Sequence, residues 1–229
     1  MTMTAHTLPT RFKTHWLNWQ QQRLMLRQDW RTVRFLALDL ETNGLDCGAD
    51  GILSMAWVPI HNGVMGMSEA RYHVIQTPVA LNQSVVHHHL TSADIADGET
   101  LDSVMRQLAQ AMSGAVLVAH HAGLDWRLLR AASKQTGVEL SPLAVVDTLL
   151  LERRRRAQRY QHEQMGAERL DAYTLSACRQ RHGLPPRAAH HALEDAVACG
   201  ELFLAQAWKQ AGNAHLPAAD LVRRSRPTF

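Results

Sequence analysis

VRFLALDL, residues 33–40, is a short apolar run that stops at the turn-rich TNGLDCGADG of 42–51, and it reads as a buried strand feeding a loop. Alternation along it places Phe35, Ala37, Asp39 and Glu41 on one face, so two carboxylates emerge together from an apolar surface at the strand's end. Burying like charges this close raises a pKa or unfolds the site unless cations neutralise them. A divalent metal between Asp39 and Glu41 makes physical sense of the spacing. An isolated Asp-x-Glu is common by chance, so the pair counts only in the company of further acids.

On the C-terminal side, ILSMAWVPI (52–60) and ARYHVIQ (70–76) read as two more strands with a turn at HNG (61–63), which completes a three-strand meander. TLDSVMRQLAQAM (100–112) has helical spacing, with Leu101, Val104, Met105 and Leu108 on one face. AVLVAH (115–120) is a strand, LDWRLLRAASKQ (124–135) a helix and LAVVDT (143–148) a strand. Beyond 149 the pattern is helical, broken by GLPPR (183–187) and resumed in a long helix over 191–210. Strands first together, then alternating with helices, predict an α/β fold with a mixed sheet covered by helices.

The 229 residues, 46% hydrophobic and 20% charged, suit one globular domain. Cys47, Cys178 and Cys199 are odd in number and form no CxxC pair, which argues against a disulfide scaffold or a structural zinc site. MTMTAHTLPTRFKTHW lacks the apolar run of a signal peptide, and no stretch approaches about 20 apolar residues, so a cytoplasmic protein without a membrane span is expected. The net charge of +3 is unevenly placed. Residues 1–34, 152–187 and 221–229 carry +5, +5 and +3, and the remainder carries −10. Acidic centre and basic flanks suit a metal site next to a bound polyanion, although Arg153, Arg154, Arg155, Arg156 and Arg159 fit a solvated helix face equally well. Residues 1–30 read as a basic helical extension. Packing of Trp16, Trp19 and Trp30 on the domain is favoured over stacking on bases.

Two further acids join the first pair: Asp125, opening a helix after a strand, and Asp195, near the start of the last long helix. Singly, each is explained by the helix dipole. As a set, the four supply hard oxygen ligands for Mg²⁺ or Mn²⁺. Two such ions about 4 Å apart would activate a water and stabilise a leaving oxygen in an in-line attack on a phosphodiester. His190 and His191 are the candidate general bases. His191 shares a helix face with Asp195, whereas His190 reaches it only from a loop leading into the helix.

LDLETNGL (38–45), LVAHHAGLD (117–125), VVDTLLL (145–151) and HHALEDA (190–196) together resemble the DEDD superfamily of 3′–5′ exonucleases, in the histidine-bearing branch that includes proofreading subunits of bacterial replicative polymerases. The resemblance spans residues 33–206. It implies a ribonuclease-H-like mixed sheet of five strands, the first three antiparallel, with helices on both faces. It also implies Asp39, Glu41 and Asp195 on the catalytic metal, Asp125 on a second ion, His190 as the base and Asp147 as a hydrogen-bonding support. Leu40, Thr42, Gln83, His88, His120 and His121 would surround the terminal nucleotide. Departures from the family pattern are Gln83 for a glutamate, His89 for a glycine, His121 for an asparagine and Leu124 for a phenylalanine. The expected activity is removal of nucleoside 5′-monophosphates from single-stranded 3′ ends, DNA before RNA. An exoribonuclease and a non-catalytic nucleic-acid-binding module are the alternatives. The expected division is an extension over 1–30, an exonuclease domain over 31–210 and a basic tail over 211–229. The extension is the candidate contact for a polymerase, another protein or a second copy. With about 20 residues after the domain, a freestanding or otherwise partnered exonuclease is expected rather than a replicase subunit.

Overall fold

The structure is a computed structural model that describes residues 20–44, 48–78, 90–159, 170–188 and 190–225. Trp16, Trp19, Gln83, His88 and His89 lie outside these residues. Strand β1 (Arg34–Thr42) pairs antiparallel with β2 (Ile52–His61), whose outer edge carries β3 (Val64–Met65) and β4 (Arg71–Val74). On its other side β1 pairs in parallel with β5 (Ala115–Ala119), and β5 with β6 (Ala144–Asp147). The order is therefore β3-β2-β1-β5-β6, with β4 also on β2.

Among the described residues six strands stand where five are expected because the third is divided. Gly66 N–H donates to the Pro59 carbonyl at 2.8 Å, so Pro59 turns its backbone groups toward that outer edge. Proline has no N–H to return the bond, and the chain leaves the ladder through the 3₁₀ turn Met67–Glu69 before β4 resumes it.

Helices cover both faces. Leu36, Leu38 and Leu40 on one side of β1 pack with Met105 and Leu108 of α2 (Leu101–Met112) and Leu128 and Leu129 of α3 (Ala122–Thr136); the short α1 (Ser92–Ala96) precedes them. Phe35 and Ala37, on the opposite side, pack with Phe203 and Ala207 of α6 (Ala192–Ala211) and Leu221 and Val222 of α7 (Ala218–Arg224). Gly200 lets α6 lie directly on β1. A Cβ there would sit 3.3 Å from the Ala37 Cβ and 3.1 Å from the Met65 Cε. Between these helices run α4 (Thr148–Arg159) and α5 (Leu175–Arg181). Among the described residues no helix is long and apolar enough to cross a membrane.

Two segments placed outside the domain by the sequence are part of its core. Trp30 is fully buried, edge-on to Phe203 and Trp208 with ring centroids 6.2 and 5.2 Å away. The Trp30 backbone N–H donates to the Leu216 carbonyl, and Leu216, Ala218, Leu221 and Val222 share its cluster. Trp30 thus packs rather than waiting for a base. Trp30→Ala is expected to cost about 3–5 kcal/mol, the range for truncating a buried aromatic, read as a lower denaturant midpoint with an unchanged slope.

The arginine run is not simply a solvated face. Glu152 on α4 is fully buried and accepts hydrogen bonds from Arg155, from Arg181 of α5 and from His182. Arg153 and Arg156 lie against the ring of Tyr173. Burial opposes the ionisation of Glu152, but the bonds from His182, Arg155 and Arg181 together outweigh it and hold the carboxyl well below the usual range. A carboxyl depressed in the folded state stabilises above its unfolded pKa, about 4.3, and loses that contribution as pH falls toward the folded value. Glu152→Gln therefore costs about 3–5 kcal/mol at pH 7, as expected for breaking a buried ion cluster. In paired melts the gap from wild type narrows as pH drops below about 4.3.

Candidate active site

β1, β5 and β6 run in the same direction, so their C-terminal ends share one edge, and α3 and α6 begin there. That edge, beyond the carboxyl ends of parallel strands, is where open α/β sheets place ligands. Asp39 and Glu41 come from the end of β1, where the pairing with β2 shifts register between Glu41 and Thr42. Asp195 comes from the first turn of α6. Oxygen atoms of these three carboxylates lie within 4.8 Å of one another, a geometry able to hold a metal ion. Asp125, in the first turn of α3, is buried behind them.

Burial and mutual repulsion oppose the negative charge of this grouping. Asp39 is pushed well above the carboxylate range, first by burial and then by the charges of Asp125, Asp195 and Glu41. Burial and Asp195 push Glu41 up to about 7, and burial with Asp147 pushes Asp125 up to about 8. Asp195 is raised mainly by burial. Four acids of raised pKa on one strand edge form a site that favours positive charge.

His190 lies on the turn before α6, not in the helix. Its φ of +69° puts it in the left-handed region, and its N–H donates to Asp195 Oδ2 at 2.9 Å. This turn resolves the five-residue spacing, because the side chain leaves the backbone before helical geometry applies. Exposed His190 lines a cavity of about 700 Å³ together with Asp39, Asp195 and His120. His191 turns away and stacks on Tyr72, with ring centroids 4.6 Å apart.

The other sequence-derived positions divide. Asp147 accepts from the backbone N–H groups of His121, Ala122, Leu149 and Leu150, thereby fixing the starts of α3 and α4. His121 is exposed at the left-handed N-cap of α3. Thr42 is part-buried and donates to the Gly44 carbonyl. The Leu40 side chain packs in the core on the far face of β1, so only its backbone is available to a substrate. His120 lines the cavity and is held there by bonds at both ring nitrogens. Its Nε2 donates to the Tyr173 carbonyl, its Nδ1 pairs with Thr148 Oγ1, and burial lowers its pKa to about 4. Both ring nitrogens of this neutral imidazole are committed to holding the cavity wall.

Sequence reasoning missed the clamp on the loop that delivers His190. Buried Arg179 donates to the carbonyls of Pro185 and Ala198 and pairs with Glu201 at 2.7 Å. Arg187 grips Glu201 through two nitrogens and Glu194 through a third. The signal was present: Glu194 and Glu201 are seven apart, on one helical face, shortly after an arginine.

The model of the RNase_T exonuclease family matches residues 36–203, from β1 into α6, and so takes in all four carboxylates and His190. The chain belongs to this exonuclease family. Its likeness to the PolC-type DNA polymerase III of Staphylococcus aureus is 24% identity over 208 residues, 86% of this chain and 14% of the polymerase. The chain thus spans about 14% of the length of such relatives. Exonuclease X, solved in complex with 5′ overhanging duplex DNA, is 21% identical and superimposes with a TM-score of 0.58 over 84% of this chain and 99% of its own. Escherichia coli exonuclease I, solved with a dA16 oligonucleotide, is 14% identical, with a TM-score of 0.62 over 78% of this chain and 41% of its own. These two likenesses carry the α/β fold, and the family match is what places the chain among the exonucleases.

Proposed function

We propose that this exonuclease removes nucleoside 5′-monophosphates from the 3′ end of single-stranded DNA, with Mg²⁺ or Mn²⁺ as its cofactor and His190 as the general base. The observation that carries this is the clustering of Asp39, Glu41 and Asp195 at the edge of a cavity that Asp39 and Asp195 line together with His190. The donor set fits hard divalent cations, since it is all carboxylate oxygen and burial and mutual repulsion oppose its negative charge. Asp39, Glu41 and Asp195 would hold one ion, and Asp125 would serve a second. Bound ions of this kind supply positive charge to the attacking and leaving oxygens of an in-line displacement.

The remaining work falls to the chain. The His190 imidazole, at the cavity lip, takes the proton from the water that attacks phosphorus. Asp195 fixes where that ring starts by holding the His190 N–H, and the Arg179–Glu201–Arg187 clamp holds the preceding loop. Backbone at Leu40 and side chains of Thr42 and His121 would meet the terminal nucleotide. A preference for DNA is supported by the DNA named with Exonuclease X and by the polymerase relatives. Those relatives also make a polymerase the partner to test.

Equal amounts of matched single-stranded DNA, RNA of the same sequence, and duplex DNA with a mismatched 3′ end separate the substrates. Fastest shortening of single-stranded DNA is expected. RNA degraded faster than DNA would overturn the substrate assignment.

A further inference from the structure

A second cavity, of about 440 Å³, opens between α4, α6 and α7. Arg154, Arg155, Lys209 and Arg224 line it, together with the amides of Gln158, Gln206 and Gln210, and among the described residues no acid does. It is remote from the carboxylates: Asp195 and Lys209 are both on α6, 14 residues and so about 21 Å apart along the helix. Part of its charge is already engaged, since Arg155 pairs with Glu152 and Arg154 donates to the Arg223 carbonyl. Lys209 and Arg224 have no ion pair among the described residues. The C-terminal ends of their helices favour basic side chains, which accounts for the presence of these two but not for the amides beside them.

Those amides point to a ligand. Gln206 is 94% buried; its Nε2 donates to the Thr148 carbonyl, while its Oε1 is buried with no partner. One helical turn on, Gln210 Nε2 is likewise buried and unpartnered. A buried acceptor and a buried donor without partners are costly unless something in the cavity completes them. Cations for an anionic group, with an acceptor and a donor for a hydroxyl or a base edge, match one chemical class.

We propose that this cavity binds a phosphate-bearing ligand of nucleotide size, through Lys209, Arg224 and Arg154 to the phosphate and through Gln206 and Gln210 to its neutral part. The volume falls in the range of small-molecule sites. The site is separate from hydrolysis, so it survives or fails independently of the exonuclease assignment.

The test is calorimetric titration of the full chain in EDTA with inorganic phosphate, adenosine, AMP and a short single-stranded DNA. Saturable binding of AMP is expected, stronger than that of either phosphate or adenosine. Lys209→Glu and Arg224→Glu should each weaken it about 10- to 100-fold, as for a lost hydrogen bond to a charged group. Gln206→Met should weaken AMP more than phosphate. All three variants keep wild-type shortening of a labelled oligonucleotide, which shows that they are folded. If the oligonucleotide displaces AMP with the same sensitivity to Lys209→Glu, the phosphate comes from a strand; if it does not, from a free nucleotide. The proposal is overturned if neither AMP nor phosphate saturates at millimolar concentration, or if binding is indifferent to both charge reversals.

Discussion

Asp39→Asn abolishes shortening of a 3′ end, by a factor on the order of 10³ or more, and at the same time makes the metal-free protein more stable. Both effects have one cause. Asp39 is the carboxylate most crowded by others, raised by burial and by Asp125, Asp195 and Glu41. A neutral amide of the same shape removes the charge a cation needs and relieves the repulsion that exists without it. A carboxyl whose folded pKa is raised favours the folded state while protonated, and withdraws that stability as pH rises through the folded value. With Glu41 at about 7 and Asp125 at about 8, the metal-free wild type loses stability between about pH 4 and 8. Asp39→Asn flattens that slope and raises the melting temperature at pH 8 by a few degrees, on the order of 1 kcal/mol. Chelated melts at pH 5 and pH 8 alongside a labelled-oligonucleotide assay check both halves. An inactive variant that melts below wild type at pH 8 contradicts the electrostatic part. Retained activity contradicts the catalytic part.

Replacing His190 lowers turnover by about 10² to 10⁴, the worth of a general base, with little change in oligonucleotide binding. Asparagine is the better probe than alanine, because it tolerates the φ of +69° that the turn requires and cannot carry the proton. The Asp195 contact comes from the His190 backbone, so it survives the change. His191→Ala is the paired control. Its ring packs on Tyr72, and its loss should reduce stability more than turnover. If His191→Ala proves the more damaging to kcat, the base has been assigned to the wrong histidine.

Much of this site was legible in the sequence because strand alternation and motif order are local properties. VRFLALDL shows which face Asp39 and Glu41 share before any partner strand is known, and the parallel pairing of β1 with β5 then brings Asp125 to the same edge. The division of the third strand was less visible, although Pro59 carried the cause. Packing of Trp30 on the domain was readable, whereas the core role of 216–222 was hidden by its basic surroundings, in which charge outweighed the apolar spacing of Leu216, Leu221 and Val222. Contacts between distant segments were not readable at all. Nothing near His120 announces that Tyr173 and Thr148 occupy both of its nitrogens, and nothing near Pro185 announces Arg179. Such pairings depend on how α4, α5 and α6 pack.

The central claim is that one carboxylate cleft hydrolyses phosphodiesters stepwise from the 3′ end, and product analysis tests it most directly. A single-stranded oligonucleotide labelled at its 5′ end and, separately, at its 3′-terminal nucleotide is incubated with Mg²⁺ or Mn²⁺ and with EDTA. The account predicts a ladder shrinking one nucleotide at a time from the 5′-labelled strand, nucleoside 5′-monophosphate as the first product from the 3′ label, and neither in EDTA. Internal cleavage fragments, 3′-monophosphate products, or no shortening with either metal would contradict it.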